Sequence, residues 1–413
     1  MKPNKWPAAY FHNPNSDKPI EEIWDDIDNY TFEEQYEKED KLEKMDFVIP
    51  LPPLKYRGDI LKGCFYSQAV DVIIEKFPKL KEIFFPIANS MFSSYPSSEH
   101  ADAYFTVYKN EAREAYFRKK HPEKKDITLI PLQDADFLNE YKMSPAFNIQ
   151  KTIDVFCVTT AFPVKNMPIL ARAIKVYEEK YKKILKVHYA IGNRDLIVNE
   201  DSTVDISKLR NDAQSQMKQV IDILGDYTKY IQFYSFIDYK DLPRFYTAAK
   251  CCVLCTLLEG KNRFISEAMS CDTPIIVFKD FNKYTRGDYP IFFGNSGEYA
   301  PEFNPESLAD TIHKVINNPQ NYRPRKNYLM HSGRKNFVNT IIDSIPYYSQ
   351  NMRRYEKGKI QDNLWVDLAM QENYQLSTYD FIYGRNPAIQ HVRGITSIEK
   401  LTKFFYSRFG IKP

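Results

Sequence analysis

Two glutamates, Glu259 and Glu267, stand on either side of a glycine turn and the start of a predicted helix. Gly260 permits a tight turn after the apolar run 252–258. A helix that starts near Arg263 offers N–H groups and the positive end of its dipole to a phosphate. Glu267 lies one helical turn later and can face the same crevice. Two carboxylates beside such a helix end suit a sugar–diphosphate–nucleoside, with Glu259 on the sugar hydroxyls and Glu267 on the ribose.

Two glutamates eight positions apart also occur by chance, and the plain alternative is a surface pair that makes salt bridges. The context favours the ligand site, because the chain reads as strand, Glu-Gly turn, helix with Glu-Ala, and then Thr273-Pro274 before another strand. In open α/β sheets, ligands bind outside the carboxyl ends of the strands. Glu259 is expected at such an end.

The elements that must position these residues alternate along the chain, as in parallel α/β layers. In the second half, strict alternation predicts a doubly wound domain, with strands over 155–159, 187–192, 231–234, 252–258 and 274–278 and helices that begin at Pro168, Leu242, Arg263 and Asn304-Pro305. The first half predicts strands over 8–11, 47–50, 83–87, 103–107 and 127–131, a helix capped by Ser67 and a helix over 110–120. Beyond Pro346, the periodicity predicts helices over 363–371 and 396–409.

The chain has 413 residues, which suits two domains of about 150–200 residues each plus extensions. We expect an N-terminal domain over 1–145, a second domain over 151–345 and a helical extension over 346–413. The linker between the domains contains Ser144-Pro145 and little periodicity. The segment 21–46 is strongly acidic, with twelve Asp or Glu and three Lys.

The composition is that of a soluble globular protein, with 43% hydrophobic and 27% charged residues. A net charge of +3 gives no sign of a nucleic-acid binder, which usually carries a concentrated basic face. The sequence shows neither an apolar run of membrane-span length nor a signal-peptide core, so we expect a cytoplasmic protein. The basic cluster 353–359 reads as a solvated surface or as a weak contact with the inner face of the cell membrane.

Six cysteines are expected to be reduced. Cys251, Cys252 and Cys255 are close enough to raise the question of a metal site, but no His or Cys group of zinc-finger spacing accompanies them. They are predicted to be small core residues of a buried strand.

The stretch from Glu259 to Glu267 resembles the E-x7-E signature of retaining glycosyltransferase family 4, the group 1 glycosyltransferases. The similarity extends beyond the motif, because 158–165 resembles the strand and loop that open the donor domain of the family, and 189–192 resembles its next strand end. The resemblance covers about 154–315 and weakly 101–137.

The resemblance implies a GT-B fold, in which two Rossmann-like, doubly wound domains face each other across a cleft and C-terminal helices return to the first domain. The first domain would face the acceptor and the second would bind a UDP- or GDP-linked sugar. It implies sugar transfer with retained configuration and no obligatory metal or other cofactor. By motif position, the predicted catalytic residues are Glu259, Lys165 on the diphosphate, and Arg263, and the predicted donor-binding residues are Glu267, Gly260, Lys261, Asn262 and Thr160.

The sequence departs from the family in several places. Cations stabilise the charge that develops on the leaving diphosphate, yet Thr160 stands where the family usually places a second cation, five residues before Lys165. Arg263 or Lys261 is the expected substitute, and an ordinary loop lysine is the alternative for Lys165. Other departures are Phe11-His-Asn-Pro-Asn in place of a glycine-rich loop, Asn89 in place of an acceptor-domain His, and Asp272 near a usual helix-end glycine, where Asp tolerates a left-handed backbone.

The rival motif is Asp134-Ala-Asp136. An Asp-x-Asp pair binds Mg²⁺ or Mn²⁺ with the diphosphate in GT-A glycosyltransferases, because hard cations take carboxylate oxygens. The leading hypothesis remains a metal-independent retaining glycosyltransferase of glycan or surface-polysaccharide biosynthesis, whose acceptor is a hydroxyl of a glycan precursor. The alternatives are an epimerase or hydrolase of the same fold and a non-catalytic protein that binds a nucleotide sugar or scaffolds a partner.

Overall fold

The computed structural model describes residues 46–351, except for 52–53, 57–58, 68–69, 77, 91–97, 107–113, 116–117, 120, 132–137, 139, 141, 257–261 and 282–294, and it also describes 376–377. The strand predicted over 8–11, the acidic residues before 46 and the helices predicted over 363–371 and 396–409 lie outside the described residues. The described residues divide into two compact units, one drawn from 140–332 and the other from 19–139 and 333–413.

The first part of the described chain is a succession of short elements. They are β1 (Asp46–Leu51), β2 (Leu54–Tyr56), β3 (Asp59–Leu61), β4 (Gly63–Ser67), α1 (Val70–Lys76), α2 (Leu80–Ile83), β5 (Phe84–Ser90), β6 (Ala103–Thr106), the 3-10 turn Pro122–Lys124 and β7 (Thr128–Ile130).

The middle part alternates strands and longer helices, as predicted. It contains β8 (Ile153–Val158), the 3-10 turn Pro163–Lys165, α3 (Met167–Tyr181), β9 (Val187–Ala190), β10 (Ile197–Val198), β11 (Val204–Asp205), α4 (Asn211–Leu224), the 3-10 turn Tyr227–Lys229, β12 (Ile231–Tyr234), α5 (Leu242–Ala248), β13 (Ala249–Val253), α6 (Arg263–Ser270), β14 (Ile275–Phe278) and β15 (Gly297–Ala300).

The last part is helical. It contains α7 (Pro305–Asn317), the 3-10 turn Pro319–Asn321, α8 (Pro324–His331), α9 (Arg334–Ser344), α10 (Pro346–Asn351) and the two-residue strand β16 (Leu376–Ser377). The cap predicted for α7 is present, because the Asn304 side chain accepts a hydrogen bond from the Ser307 N–H at 2.7 Å. Among the described residues, no helix combines the length and the apolar character needed to cross a bilayer.

The first sheet has the order β16-β1-β4-β5-β6-β7. Strands β4 to β7 are parallel, whereas β1 runs antiparallel to both of its neighbours. Helices α9 and α10 pack against this sheet through a buried cluster that includes Phe105, Phe337, Ile341 and Tyr348. The prediction that C-terminal helices return to the N-terminal domain is therefore confirmed for these two helices.

The second sheet has the order β12-β9-β8-β13-β14-β15, and all five pairings are parallel. Its strands are buried runs such as Ile275–Phe278, as a sheet covered on both faces requires. Helices α3, α4 and α7 share one core with Val155 and Cys157. Phe156, which points to the opposite face, packs against Phe245 and Tyr246 of α5. The α/β class with two sheets is confirmed.

Some elements differ from the sequence prediction. The strand expected over 252–258 is β13, Ala249–Val253, because α5 ends directly in the extended residue Ala249 and pairing begins there. The sequence analysis missed β4, α4 and helices α8 to α10.

Candidate functional site

The second sheet reverses its strand order between β8 and β13. Along the chain the strands are laid down outward from β8 in one direction and then outward from β13 in the other. At such a reversal, neighbouring loops lead to opposite faces of the sheet and leave a crevice at the carboxyl ends of the strands. The segments that leave these two ends carry Thr160 and Lys165 after β8, and α6 after β13.

Lys165 ends the 3-10 turn that follows β8. Its N–H donates to the Phe162 carbonyl oxygen at 2.9 Å, and Asn166 takes a left-handed backbone with φ of 50° before α3 begins. Pro168 lies in the first turn of α3, as predicted. This turn holds Lys165, which is half-buried, close to the carboxyl end of β8. Thr160 is also half-buried and lies between the strand and the turn.

Helix α6 has a side-chain cap at its amino end. The Asn262 side chain accepts a hydrogen bond from the Phe264 N–H at 2.9 Å, so that donor of the first turn is taken by the protein itself. Helix α6 begins at Arg263, as predicted, and buries every residue from Phe264 to Ser270. Arg263 is half-buried at the amino end.

Glu267 is the buried carboxylate of this region. It is only 5% exposed, and its Oε2 accepts a hydrogen bond from the Tyr246 hydroxyl at 2.7 Å. Burial raises the pKa of Glu267 to about 7, although the Tyr246 hydrogen bond and the positive charge of Arg263 act in the opposite direction. Glu267 is therefore not the salt-bridged surface residue that a chance pair of glutamates would supply. Carboxyl groups with a perturbed pKa cluster at functional sites.

Tyr246 is a residue of this site that the sequence analysis missed. Its ring is fully buried, with its centroid 5.2 Å from that of Phe156 and 5.9 Å from that of Phe264. Burial and the charge of Glu267 raise the pKa of its hydroxyl far above the usual value. Tyr246 belongs to the apolar face of α5, and the sequence alone gives no signal that its hydroxyl reaches a carboxylate 21 positions away.

Arg325 was also missed. Its guanidinium donates to the carbonyl oxygens of Glu140, at 3.0 Å, and Ser270. The Ser270 hydroxyl donates to the Met143 carbonyl oxygen. These bonds fasten the segment before β8 to the carboxyl end of α6.

Five of the eight predicted site residues lie on the segments that follow β8 and β13 along the chain: Thr160, Lys165, Asn262, Arg263 and Glu267. Glu259, Gly260 and Lys261 lie outside the described residues, and so do Asp134 and Asp136. Asn89 belongs to β5, and its side chain is not among those described. The role of each of these residues in binding or catalysis stays a prediction.

Two smaller predictions are confirmed. Cys251 and Cys252 are buried in β13, as predicted, whereas Cys255 is buried just after that strand, and burial raises the pKa of all three thiols. Asp272 stands at the helix end where the family usually has a glycine. Its backbone is left-handed, as expected, with φ of 59°. In the part of the chain that the structure describes, no group of three or more His, Cys, Asp or Glu could hold a metal ion.

A separate cavity of about 720 Å³ runs along α5. Its lining includes Gln150, Tyr234, Phe236, Asp238 and Arg244. None of the predicted site residues is part of that lining. The cavity therefore adds aromatic, acidic and basic groups on α5 and its preceding loop, apart from the pair of strand ends described above.

Residues 142–330 match the sequence profile of the family described as "Glycosyl transferases group 1". This region is a group 1 glycosyltransferase domain. The domain contains the whole second sheet, the turn with Lys165, the capped helix α6 and the Tyr246–Glu267 pair. The resemblance read from the E-x7-E stretch is thus confirmed. Among curated protein sequences, none matches the chain.

Solved structures resemble the chain distantly. A TarM mutant from S. aureus, in complex with Fondaparinux, alpha-GlcNAc-glycerol and UDP, is 13% identical with a TM-score of 0.45, over 65% of this chain and 53% of TarM. Sucrose-phosphate synthase from Thermosynechococcus elongatus is 17% identical with a TM-score of 0.45, over 67% and 70% of the two chains. The pneumococcal O-GlcNAc transferase GtfA, with UDP and GlcNAc, is 9% identical with a TM-score of 0.42, over 71% and 56%.

The chain spans about half the length of the TarM chain that it matches. At TM-scores below 0.5 these likenesses carry no argument about activity, ligand or residue roles. The assignment of the group 1 glycosyltransferase domain depends on the family match over 142–330.

Proposed function

We propose that the chain is a retaining glycosyltransferase that moves a hexose-type sugar from a UDP- or GDP-sugar to a hydroxyl of a glycan or surface-polysaccharide precursor. The observation that supports the proposal is the buried carboxylate of Glu267 on α6, in the group 1 glycosyltransferase domain. Helix α6 follows β13, one of the two strands between which the sheet reverses its order. Ligands of open α/β sheets bind at such a point, and a buried carboxylate there can accept hydrogen bonds from ribose hydroxyls.

The proposed roles follow the charges of the site. Glu267 binds the ribose and Glu259 the hydroxyls of the sugar. Lys165 and Arg263 stabilise the negative charge that develops on the diphosphate as the glycosidic bond breaks, so two side chains supply the positive charge that a metal ion supplies elsewhere. Their support is their position, on the segments that leave two adjacent strand ends.

The division of labour between domains is part of the same proposal. The proposed donor domain is 151–345, although its last helix, α9, packs against the first sheet, and the region 1–145 contributes the acceptor side. Support for the first half of this statement comes from the family match over 142–330. The acceptor half has no counterpart in that match, so acceptor specificity is assigned to the divergent part of the chain.

The first experiment is a thermal-shift screen with UDP, GDP, UDP-glucose and GDP-mannose, with ADP as the comparison. A ligand that binds only the native protein raises the melting temperature. Glu267→Ala should lose that rise, whereas Glu306→Ala, which removes an exposed glutamate of α7, should keep it. If no nucleotide shifts the wild-type protein, the proposal is wrong.

Transfer is then tested with the donor that binds, over a panel of glycan acceptors. Product that requires the acceptor supports the glycosyltransferase. Sugar released or epimerised without an acceptor points instead to a hydrolase or epimerase. Donor binding without any turnover points to a non-catalytic protein, which the neutral Thr160 at the position of a usual cation favours.

A further inference from the structure

We propose that Tyr246 is a positioning residue for the donor: it holds one carboxylate oxygen of Glu267, leaves the other for the ribose hydroxyls, and so makes donor binding release a proton. This inference rests on the proposed function. It adds a residue and a proton-linked step that the family match does not specify.

The geometry makes Tyr246 a fixed donor. Its hydroxyl lies 2.7 Å from Glu267 Oε2, and its ring is wedged against Phe156 and Phe264. Its backbone carbonyl oxygen accepts a hydrogen bond from the Thr273 hydroxyl at 2.7 Å, which ties α5 to the segment after α6. The packed ring and the tied backbone fix the position of the hydroxyl, and the hydroxyl in turn fixes the position of Oε2.

The chemistry of the pair explains the proton. An ionised carboxylate accepts several hydrogen bonds, whereas a protonated one loses acceptor capacity at the oxygen that carries the proton. The vicinal hydroxyls of a ribose are donors, and each hydrogen bond to the ionised form favours it. Because burial already raises the pKa of Glu267 to about 7, a large share of the free protein carries the proton near neutral pH. Donor binding lowers this pKa and the proton leaves to solvent.

The other charged and titratable groups near Glu267 can be distinguished from it by substitution. The described groups that act on Glu267 or on its neighbours are Arg263 on α6, Cys271 and Asp272 after it, Cys252 on β13, Arg325 on α8 and Lys151 before β8. Burial raises the pKa of both thiols, so they stay neutral. Burial lowers the pKa of Lys151. Any titration of Lys151 persists when Glu267 is replaced by glutamine, so that variant distinguishes Lys151 from Glu267.

The test measures binding of UDP-glucose and GDP-mannose by calorimetry between pH 6 and 8.5, in two buffers that differ in ionisation enthalpy. These diesters are chosen because their phosphates do not titrate in that range. The wild-type protein should bind the accepted donor about tenfold more tightly at pH 8 than at pH 6, and release about half a proton at pH 7. Glu267→Gln should bind more weakly and without this pH dependence.

Tyr246→Phe distinguishes positioning from a structural role. Without the hydroxyl the ionised carboxylate loses a donor, so the pKa of Glu267 rises further and the pH profile moves to higher pH. Affinity should fall about fivefold at pH 7 and recover at pH 8.5. The matched control is Tyr322→Phe, which removes another Tyr–Glu hydrogen bond, of 2.8 Å to Glu298, in the same unit and away from the strand ends.

An equal loss of affinity at every pH in Tyr246→Phe would show a structural role and overturn the inference. Donor binding by the wild-type protein without proton release would overturn it as well, and this measurement stands even if Tyr246→Phe does not fold. In that second case the proposed function survives, because the donor still binds. If neither nucleotide sugar binds at any pH, the proposed function and this inference fail together.

Discussion

The two sheets of the molecule are built by different rules. The second is parallel throughout and reverses its order between β8 and β13, whereas the described strands of the first, from β4 to β7, follow one another in one direction beside an antiparallel β1. The family match covers the second sheet and none of the first.

The difference separates a shared function from a particular one. A reversal of strand order creates a crevice by topology alone, so the residues needed beside it are few and their spacing is readable. The first sheet carries no such reversal between its described strands, and its residues have no matching profile. We infer that this chain binds its donor with residues that follow the family pattern, whereas it binds its acceptor with residues that the family does not share.

The largest expected effect tests whether the strand ends at the reversal carry the chemistry. Lys165→Ala should lower the rate of sugar transfer about 100-fold or more, because it removes a cation from the developing diphosphate charge. The control is Lys81→Ala, in the unit that contains the first sheet. It removes a partly exposed ammonium group that lies 3.5 Å from the Asp102 carboxylate, and it should leave the rate unchanged. Steady-state kinetics measure the transfer rate of each variant. Similar losses of rate in both would contradict the idea that the second sheet, and not the first, carries the chemistry.

The next effect concerns the edge of the second sheet. At Gly297, on β15, an added Cβ would lie 1.8 Å from the Ile275 carbonyl oxygen of β14. Gly297→Ala should therefore reduce the free energy of unfolding by about 3 kcal/mol, because the two strands must separate to admit it. Gly225→Ala, at φ of 68° and ψ of −104° with nothing within 4 Å, should cost about 1–2 kcal/mol. Equal midpoints of urea denaturation for the two variants would contradict this.

A smaller effect is expected at Arg325, which ties the segment before β8 to the end of α6. Arg325→Lys should lower the free energy of unfolding by about 2 kcal/mol, since a lysine cannot present the guanidinium fork to carbonyl oxygens of Glu140 and Ser270 together. Urea denaturation measures the change. Arg194→Lys is the control, because Arg194 lies over the exposed ring of Phe236, 4.6 Å from its centroid, and its loss should be nearly neutral.

The smallest effect is expected at Asp272, whose backbone is left-handed. Asp272→Gly should change the free energy of unfolding by less than about 1 kcal/mol, because two effects oppose each other. Glycine adopts the left-handed backbone without steric cost, but the hydrogen bond from the Arg325 backbone N–H to the aspartate is lost. Asp272→Val should cost about 1–2 kcal/mol. A thermal melt in which valine is tolerated as well as glycine would show that this turn relaxes.

The sequence predicted the parts of the fold that short-range patterns determine. The strands of the second sheet are apolar runs, and the cap at Asn304 and the helix from Arg263 have clear end signals. Helix α4 was missed although Ala213, Met217, Val220 and Leu224 share one buried face, because its remaining residues are polar. Strand β4 was missed because it is short and its five residues include glycine and serine.

The sequence predicted which residues form the motif of the candidate site, but not how buried they are or which side chains contact them. Glu267 could be named from its spacing, yet its burial and its hydrogen bond from Tyr246, which comes from another helix, could not. The contacts of Arg325 join residues 55 and 185 positions apart. Such contacts depend on how elements pack, and no local pattern of residue types encodes them.

The buried thiols give the molecule an internal reporter. Cys64 lies in the first sheet, and the other five cysteines lie in the unit of the second. A thiol-reactive reagent should leave the native protein unmodified, because the reagent cannot reach the buried sulfur atoms and because burial keeps the thiols protonated. Under increasing denaturant, peptide mass spectrometry would then time the opening of each unit separately, with no label or substitution added to the chain.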